Sequence, residues 1–230
     1  MKKILLLFLI TTSTFYAQTS KIKYKVVLHN PKNSSKPLAL DNISNAQYLK
    51  FNLLFNEVSS SFDVEYQGIF NESLVRKEKK VKITEILVGY IGEYYQDVKL
   101  NSKMVHFIDY NIYQIDNDYK MKDWIVTGDK KNILGHECIK AIKKEFNKRS
   151  EKYIDVVAWF SPELKGVYGP VGYGGLKGVI LELHRGKRYS YYVESIELLK
   201  LIDEPKTIPE AEEISVEESV RLMRLARRNK

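Results

Sequence analysis

The chain has 230 residues, 44% of them apolar and 29% charged, a formal charge of +8 and a single cysteine. That balance excludes wholly disordered, collagen-like, disulfide-bonded and polytopic membrane classes, and it suits one domain of ordinary size. Sixteen tyrosines point to strands, where aromatic rings fit a pleated surface.

The first element is a targeting signal. Lys2 and Lys3 precede the apolar run 4–10, and small polar residues lead to Ala17. A basic start, a short apolar core and a small final residue form a secretory signal peptide, with cleavage expected after Ala17. The run is far below the ~20 residues a spanning helix needs. With no cysteine beside Ala17, no lipoprotein anchor is expected there. Residues 1–17 are thus read as signal, 18–202 as the folded body and 203–230 as a tail. The expected location is the periplasm, free or associated with the outer membrane.

Alternation then dominates. Ile22, Tyr24, Val26 and Leu28 alternate with Lys21, Lys23, Lys25 and Val27, the period of a half-buried strand. Residues 30–45 carry Pro31 and Pro37 and read as a loop. Leu49, Phe51, Leu53 and Phe55 predict a strand, 58–61 a connection, and Phe62, Val64 and Tyr66 the returning strand. Residues 71–82 are basic and read as a solvated loop. Ile83, Ile86, Leu87, Val88, Tyr90, Ile91, Tyr94 and Tyr95 suggest another strand pair, and 104–113 is rich in strand formers. A strand from Trp124 and Val126 is expected to end in a turn at 128–132, where Gly128, Asp129 and Asn132 tolerate left-handed backbone. Strands follow at 136–146 and 153–160. Val179, Leu181 and Leu183, the turn Arg185-Gly186-Lys187, and Tyr189, Tyr191 and Val193 make the clearest hairpin. No βαβ unit is visible. The predicted fold is mainly β, an antiparallel twisted or partly rolled sheet.

The tail differs. Residues 203–218 are acidic and 221–230 basic. Ser215 and Glu218 fit a capping box, and Val216, Val220 and Met223 share one side at helical spacing. This predicts a C-terminal amphipathic helix docked on the sheet, its charge order matching the helix dipole. The basic end offers a peripheral contact with an anionic membrane.

Chemistry-bearing residues are sparse. The four histidines are His29, His106, His136 and His184. His136 and Cys138 lie two apart and share a strand face, a weak pair of metal candidates, because two ligands do not make a site. Glu182 and His184 share another. Cys138 is expected to be buried and inert, as free cysteines usually are. Six of the twelve glycines fall in 166–178. No Gly-Lys-Ser or Gly-Lys-Thr occurs there, so this is no phosphate-binding P-loop. It reads as a tight loop needing close backbone approach. The charge is spread over loops of an exported chain, so nucleic acid is not expected as a partner. No cofactor is expected.

Trp124, Gly135-His136-Glu137-Cys138-Ile139-Lys140-Ala141, Ala158-Trp159-Phe160-Ser161-Pro162, Gly169-Pro170 and Gly175-Leu176-Lys177-Gly178-Val179-Ile180 occur in that order over about sixty residues. This pattern resembles the GLPGLI family, exported proteins of Bacteroidetes. Lys177 stands for the family's proline, Val179 for its second leucine, and His136 where an aromatic residue is usual. The resemblance implies export, a β-rich fold, no catalytic residues and companionship with outer-membrane receptor systems. The expected function is a non-enzymatic envelope binding or adaptor module. On this expectation a curved sheet takes an apolar ligand or an outer-membrane or periplasmic protein partner through Trp159, Tyr173, Gly175 and Leu176. The alternative is a metal-handling or hydrolytic protein using Cys138, His136 and His184.

Overall fold

A computed structural model describes residues 19–29, 40–66, 82–147, 150–199 and 204–228. The proposed signal and the basic stretch 71–81 lie outside them. Twelve strands form one sheet: β1 (Ser20–Leu28), β2 (Leu49–Phe55), β3 (Ser59–Tyr66), β4 (Glu93–Asp97), β5 (Ser102–Ile108), β6 (Asn111–Asp116), β7 (Ile125–Ile133), β8 (His136–Asn147), β9 (Lys152–Ser161), β10 (Val179–Arg185), β11 (Tyr189–Leu198) and β12 (Glu212–Glu213). Their order is β12-β6-β5-β4-β3-β2-β1-β11-β10-β9-β8-β7. Every pairing is antiparallel except β12 with β6. Helix α1 (Leu40–Asn45) precedes β2, α2 spans residues 82–87, and α3 (Val216–Arg228) ends the described chain.

The alternation in β1 and β2 fixes their faces. Ile22, Tyr24, Val26 and Leu28, with Leu49, Phe51, Leu53 and Phe55, point to one buried side. Phe51 stacks on Phe62 with centroids 5.5 Å apart, and Tyr191 meets Phe51 edge-on at 5.1 Å. Inward residues from β1 to β11 join one hydrophobic cluster.

That sheet is strongly rolled. The Lys143 Nζ on β8 donates to the carbonyls of Tyr119 and Lys122, which follow β6. Nine strand spacings separate β6 from β8, about 43 Å in a flat sheet. The sheet does not close, because β7 and β12 remain its two edges.

Several local expectations need correction. Residues 82–87 are helical, so the strand pair expected at 83–95 reduces to β4 alone. Ile83, Ile86 and Leu87 stand at helical spacing, a period that a short apolar run conceals. The loop expected at 30–45 ends in α1. The turn before β3 lies at 56–58 rather than 58–61: the Asn56 side chain accepts hydrogen bonds from the Val58 and Ser59 amides. Strand β7 runs through the turn expected at 128–132. Gly128 sits in a register shift between Val126 and Lys130, and Leu134-Gly135 make the actual two-residue turn, both at positive φ. Within the acidic tail, Glu212–Glu213 pair with β6. In α3, Ser215 caps the Glu218 amide at 3.0 Å as expected. Val216, however, is exposed, and Ser219 is the buried residue of the docking side.

Candidate functional site

The roll encloses residues 166–178. Tyr168, Val171, Tyr173 and Leu176 are buried there. Gln96 on β4 donates to the Tyr173 carbonyl and accepts from the Gly169 amide. Trp124 Nε1 donates to the Gly174 carbonyl at 2.7 Å. Gly175 has φ +80°, and a Cβ there would collide with the Met121 carbonyl. The glycines thus serve close approach, as expected, and the neighbour is this chain's own backbone. The concave side is filled by the chain itself.

At one end the inner face becomes polar. Beyond Ala141, the inward residues of β8 are Lys143 and Glu145, and beyond Leu183 on β10 comes Arg185. The segment 118–124 covers them with Tyr119, Lys120 and Trp124. Glu145 Oε2 accepts from the Tyr173 hydroxyl at 2.9 Å and from Arg185 Nε at 3.2 Å. Lys120 Nζ donates to the Val171 carbonyl at 2.8 Å and lies over the rings of Tyr94 and Tyr173. Lys143 Nζ stands 3.9 Å from Glu145 Oε1. That Oε1 is buried and has no hydrogen-bond partner among the described residues.

Three basic side chains face one acid here. Lys120, Lys143 and the half-buried Arg185 surround the buried carboxylate of Glu145, and the other nearby acid, Asp123, is exposed. Burial pushes Lys120 down to about 7, with Glu145 opposing and Arg185 and Lys143 reinforcing the shift. Burial also lowers Lys143, which Glu145 and Asp123 partly offset. Arg185 stays firmly protonated: burial disfavours its charge, but Tyr173, Tyr189 and Glu145 outweigh that. Burying cations without matching anions is costly.

The residues expected to bind a ligand do not converge. Tyr173 and Leu176 are buried in the loop, and Gly175 lies against Met121. Trp159 is on the opposite face, under Lys131 at 4.3 Å and Lys140 at 5.9 Å. The metal candidates also part: His136 Nδ1 meets Glu163 Oε2 at 2.9 Å, whereas Cys138 is fully buried. Burial pushes its thiol up to about 11, the inert state expected. No group of three or more metal-binding side chains occurs among the described residues.

The outer face brings together a set that sequence reading missed. Ser190 Oγ lies 2.7 Å from His184 Nδ1 and 2.8 Å from His29 Nε2. His184 Nε2 lies 2.5 Å from Glu182 Oε1, which Lys131 holds at 2.8 Å. The shared face of Glu182 and His184 was legible. His29 lies 161 residues from Ser190, and only strand pairing reveals it. Lys120, Lys143, Glu145 and Arg185 carried no motif at all.

No family model matches the chain, and no curated protein matches it. Among solved structures it is similar to PNGF-II in its C2 and P21 crystal forms, each with a TM-score of 0.58 and 16% identity over 92% of this chain and 34% of that one. The chain spans about a third of the length of PNGF-II. At that identity the likeness is one of fold.

Proposed function

We propose that the chain is an exported envelope module of GLPGLI type that acts by binding, without catalysis, and that it takes an acidic group at the polar end of the rolled sheet. The observation that carries this reading is Lys120, Lys143 and Arg185 set around Glu145, whose buried Oε1 stands 3.9 Å from Lys143 Nζ and accepts no hydrogen bond among the described residues. Arg185 bonds through Nε, which leaves its planar fork for a carboxylate or phosphate. Glu145 Oε1 would accept from a hydroxyl or amine on the same ligand. An apolar ligand fits less well, because the chain's own aromatic rings fill the inner face.

The non-catalytic reading is supported by the outer face. Ser190, His184 and Glu182 are spaced like a nucleophile, base and orienting acid. Yet Ser190 is fully buried and paired with Val27 and His184 in the sheet. The ladder occupies the nearby backbone amides, so no pair of donors stands ready for an oxyanion. An envelope protein partner would find apolar surface on the outer wing, where Ile125 pairs with Ile142 and Phe146 with Tyr153, all exposed. No described helix is long and apolar enough to cross a membrane. Membrane contact through α3 would use Arg224, since Arg221 is paired with Glu218.

Calorimetric titration of the full chain with citrate and with inorganic phosphate tests the reading. One saturable site is expected, weakened tenfold or more, about 1.4 kcal/mol, in both Arg185→Gln and Arg185→Lys. The lysine variant keeps the charge and thereby the folded site. No heat from either anion, or binding by both variants as tight as the parent's, overturns the proposal.

A further inference from the structure

The outer face carries a second arrangement, independent of the polar cluster inside. His29 follows β1 and is tied to the β10–β11 turn by its amide, which donates to the Arg188 carbonyl at 2.8 Å. His184 on β10 stands in register with Ser190 on β11. Both imidazoles aim a ring nitrogen at one oxygen, Ser190 Oγ. Those nitrogens are therefore no farther apart than the sum of two hydrogen bonds.

The hydrogen-bond network assigns the protons. A carboxylate only accepts, so His184 Nε2–H donates to Glu182 and its Nδ1 keeps a bare lone pair. Ser190 then donates to that Nδ1, and His29 Nε2–H donates to Ser190. A histidine with one nitrogen on a carboxylate and a lone pair on the other has the second-shell geometry of a metal ligand. Glu182 is itself anchored by Lys131, which lies over Trp159. The His184 side chain is 29% exposed, which leaves a path from solvent.

We propose that His29 and His184 form a binding site for one late first-row divalent cation, Cu²⁺ or Zn²⁺, which takes the place Ser190 Oγ now fills between the two rings, with Glu182 as the orienting carboxylate. His184 keeps its tautomer, while Ser190 Oγ turns aside and gives up its bond to Nδ1. His29 moves its proton from Nε2 to Nδ1, an exchange of neutral tautomers, and no bond to carbon changes. Two imidazoles suit Cu²⁺ and Zn²⁺ over Mg²⁺ or Ca²⁺, and the order of affinity places Cu²⁺ first. Two protein nitrogens hold a metal less tightly than a closed four-ligand site, and the remaining positions stay open to water or a further ligand.

The full chain is titrated with CuCl₂, ZnCl₂ and MgCl₂ by calorimetry, and the copper form is examined by electron paramagnetic resonance. One Cu²⁺ with two imidazole nitrogens, weaker Zn²⁺ binding and no Mg²⁺ binding are expected. His29→Gln and His184→Gln should each weaken Cu²⁺ at least tenfold, and Glu182→Gln by roughly 10–100-fold. Nitrogen-15 spectra of the unmodified protein, followed as Zn²⁺ is added, read the rings without any substitution. Shifts confined to His29 and His184 support the site. Absence of saturable Cu²⁺ binding, shifts at His136 or His106 instead, or full binding in both glutamine variants overturns it.

Discussion

Tyr24 and Tyr168 are both buried in the same cluster, yet their hydroxyls differ. Tyr24 donates to the Ile180 carbonyl at 2.6 Å, and Tyr168 has no hydrogen-bond partner among the described residues. Removing a satisfied buried hydroxyl strands its acceptor, whereas removing an orphan relieves a desolvation cost. Tyr24→Phe should therefore lose about 1–3 kcal/mol, and Tyr168→Phe should be neutral or gain about 1 kcal/mol, in urea unfolding. Equal losses in both would show that the Tyr168 hydroxyl is satisfied by ordered water. The inward direction of Tyr24 was legible from alternation. Its bond partner was not, because 156 residues separate Tyr24 from Ile180. Gly175 was legible as a position of close approach, while the identity of its neighbour, Met121, depends on the rolled sheet.

Elements were legible where turn chemistry and period agreed. The β10–β11 hairpin turns at Gly186, whose φ is positive, between strands of clear alternation. Where the two signals conflicted, the reading failed: Gly128 and Asp129 have turn chemistry but sit in a register shift of β7. Helix α3 was legible from its cap and charge order, and its docking contact was not. That contact is Ser219 Oγ to His106 Nδ1 on β5, at 3.3 Å. Burial, then Lys82, pushes His106 down to about 4. The folded state thus resists a proton that the unfolded chain accepts near pH 6.5. The contribution is full above that pH and fades as pH falls toward 4, by on the order of 3 kcal/mol. Urea midpoints from pH 7 to pH 4 should fall in the parent and flatten in His106→Gln. An identical slope in the variant would place the acid sensitivity elsewhere.

In the whole molecule, the loop 166–178 is clasped from two separate parts of the sheet, by Gln96 on β4 and by Ile180 on β10, which bonds to both Tyr24 and the Tyr168 carbonyl. Lys120 and Lys143 complete the clasp by holding backbone carbonyls between the two wings. The core is held by groups that must shed charge to be buried, and this sets an unusual dependence on pH. Lys120 is lowered to about 7, so between pH 7 and 10 the unfolded chain holds a proton that the folded one has released. Stability rises with pH across that window and is unaffected by this lysine below it. Tyr24, Tyr94, Tyr173 and Tyr191 are all raised well above their ordinary value by burial. Above pH 10 the unfolded chain therefore loses phenolic protons that the folded one keeps, and stability falls again. The maximum should lie near pH 9, above the usual range of about 5–8. Denaturant midpoints should climb from pH 7 to pH 9 by about 2–3 kcal/mol and drop by pH 11. Lys120→Met removes the climb: its lost bond to Val171 costs the same at both pH values and cancels in the difference. A parent protein whose stability is flat from pH 7 to pH 9 would mean that Lys120 stays charged when folded.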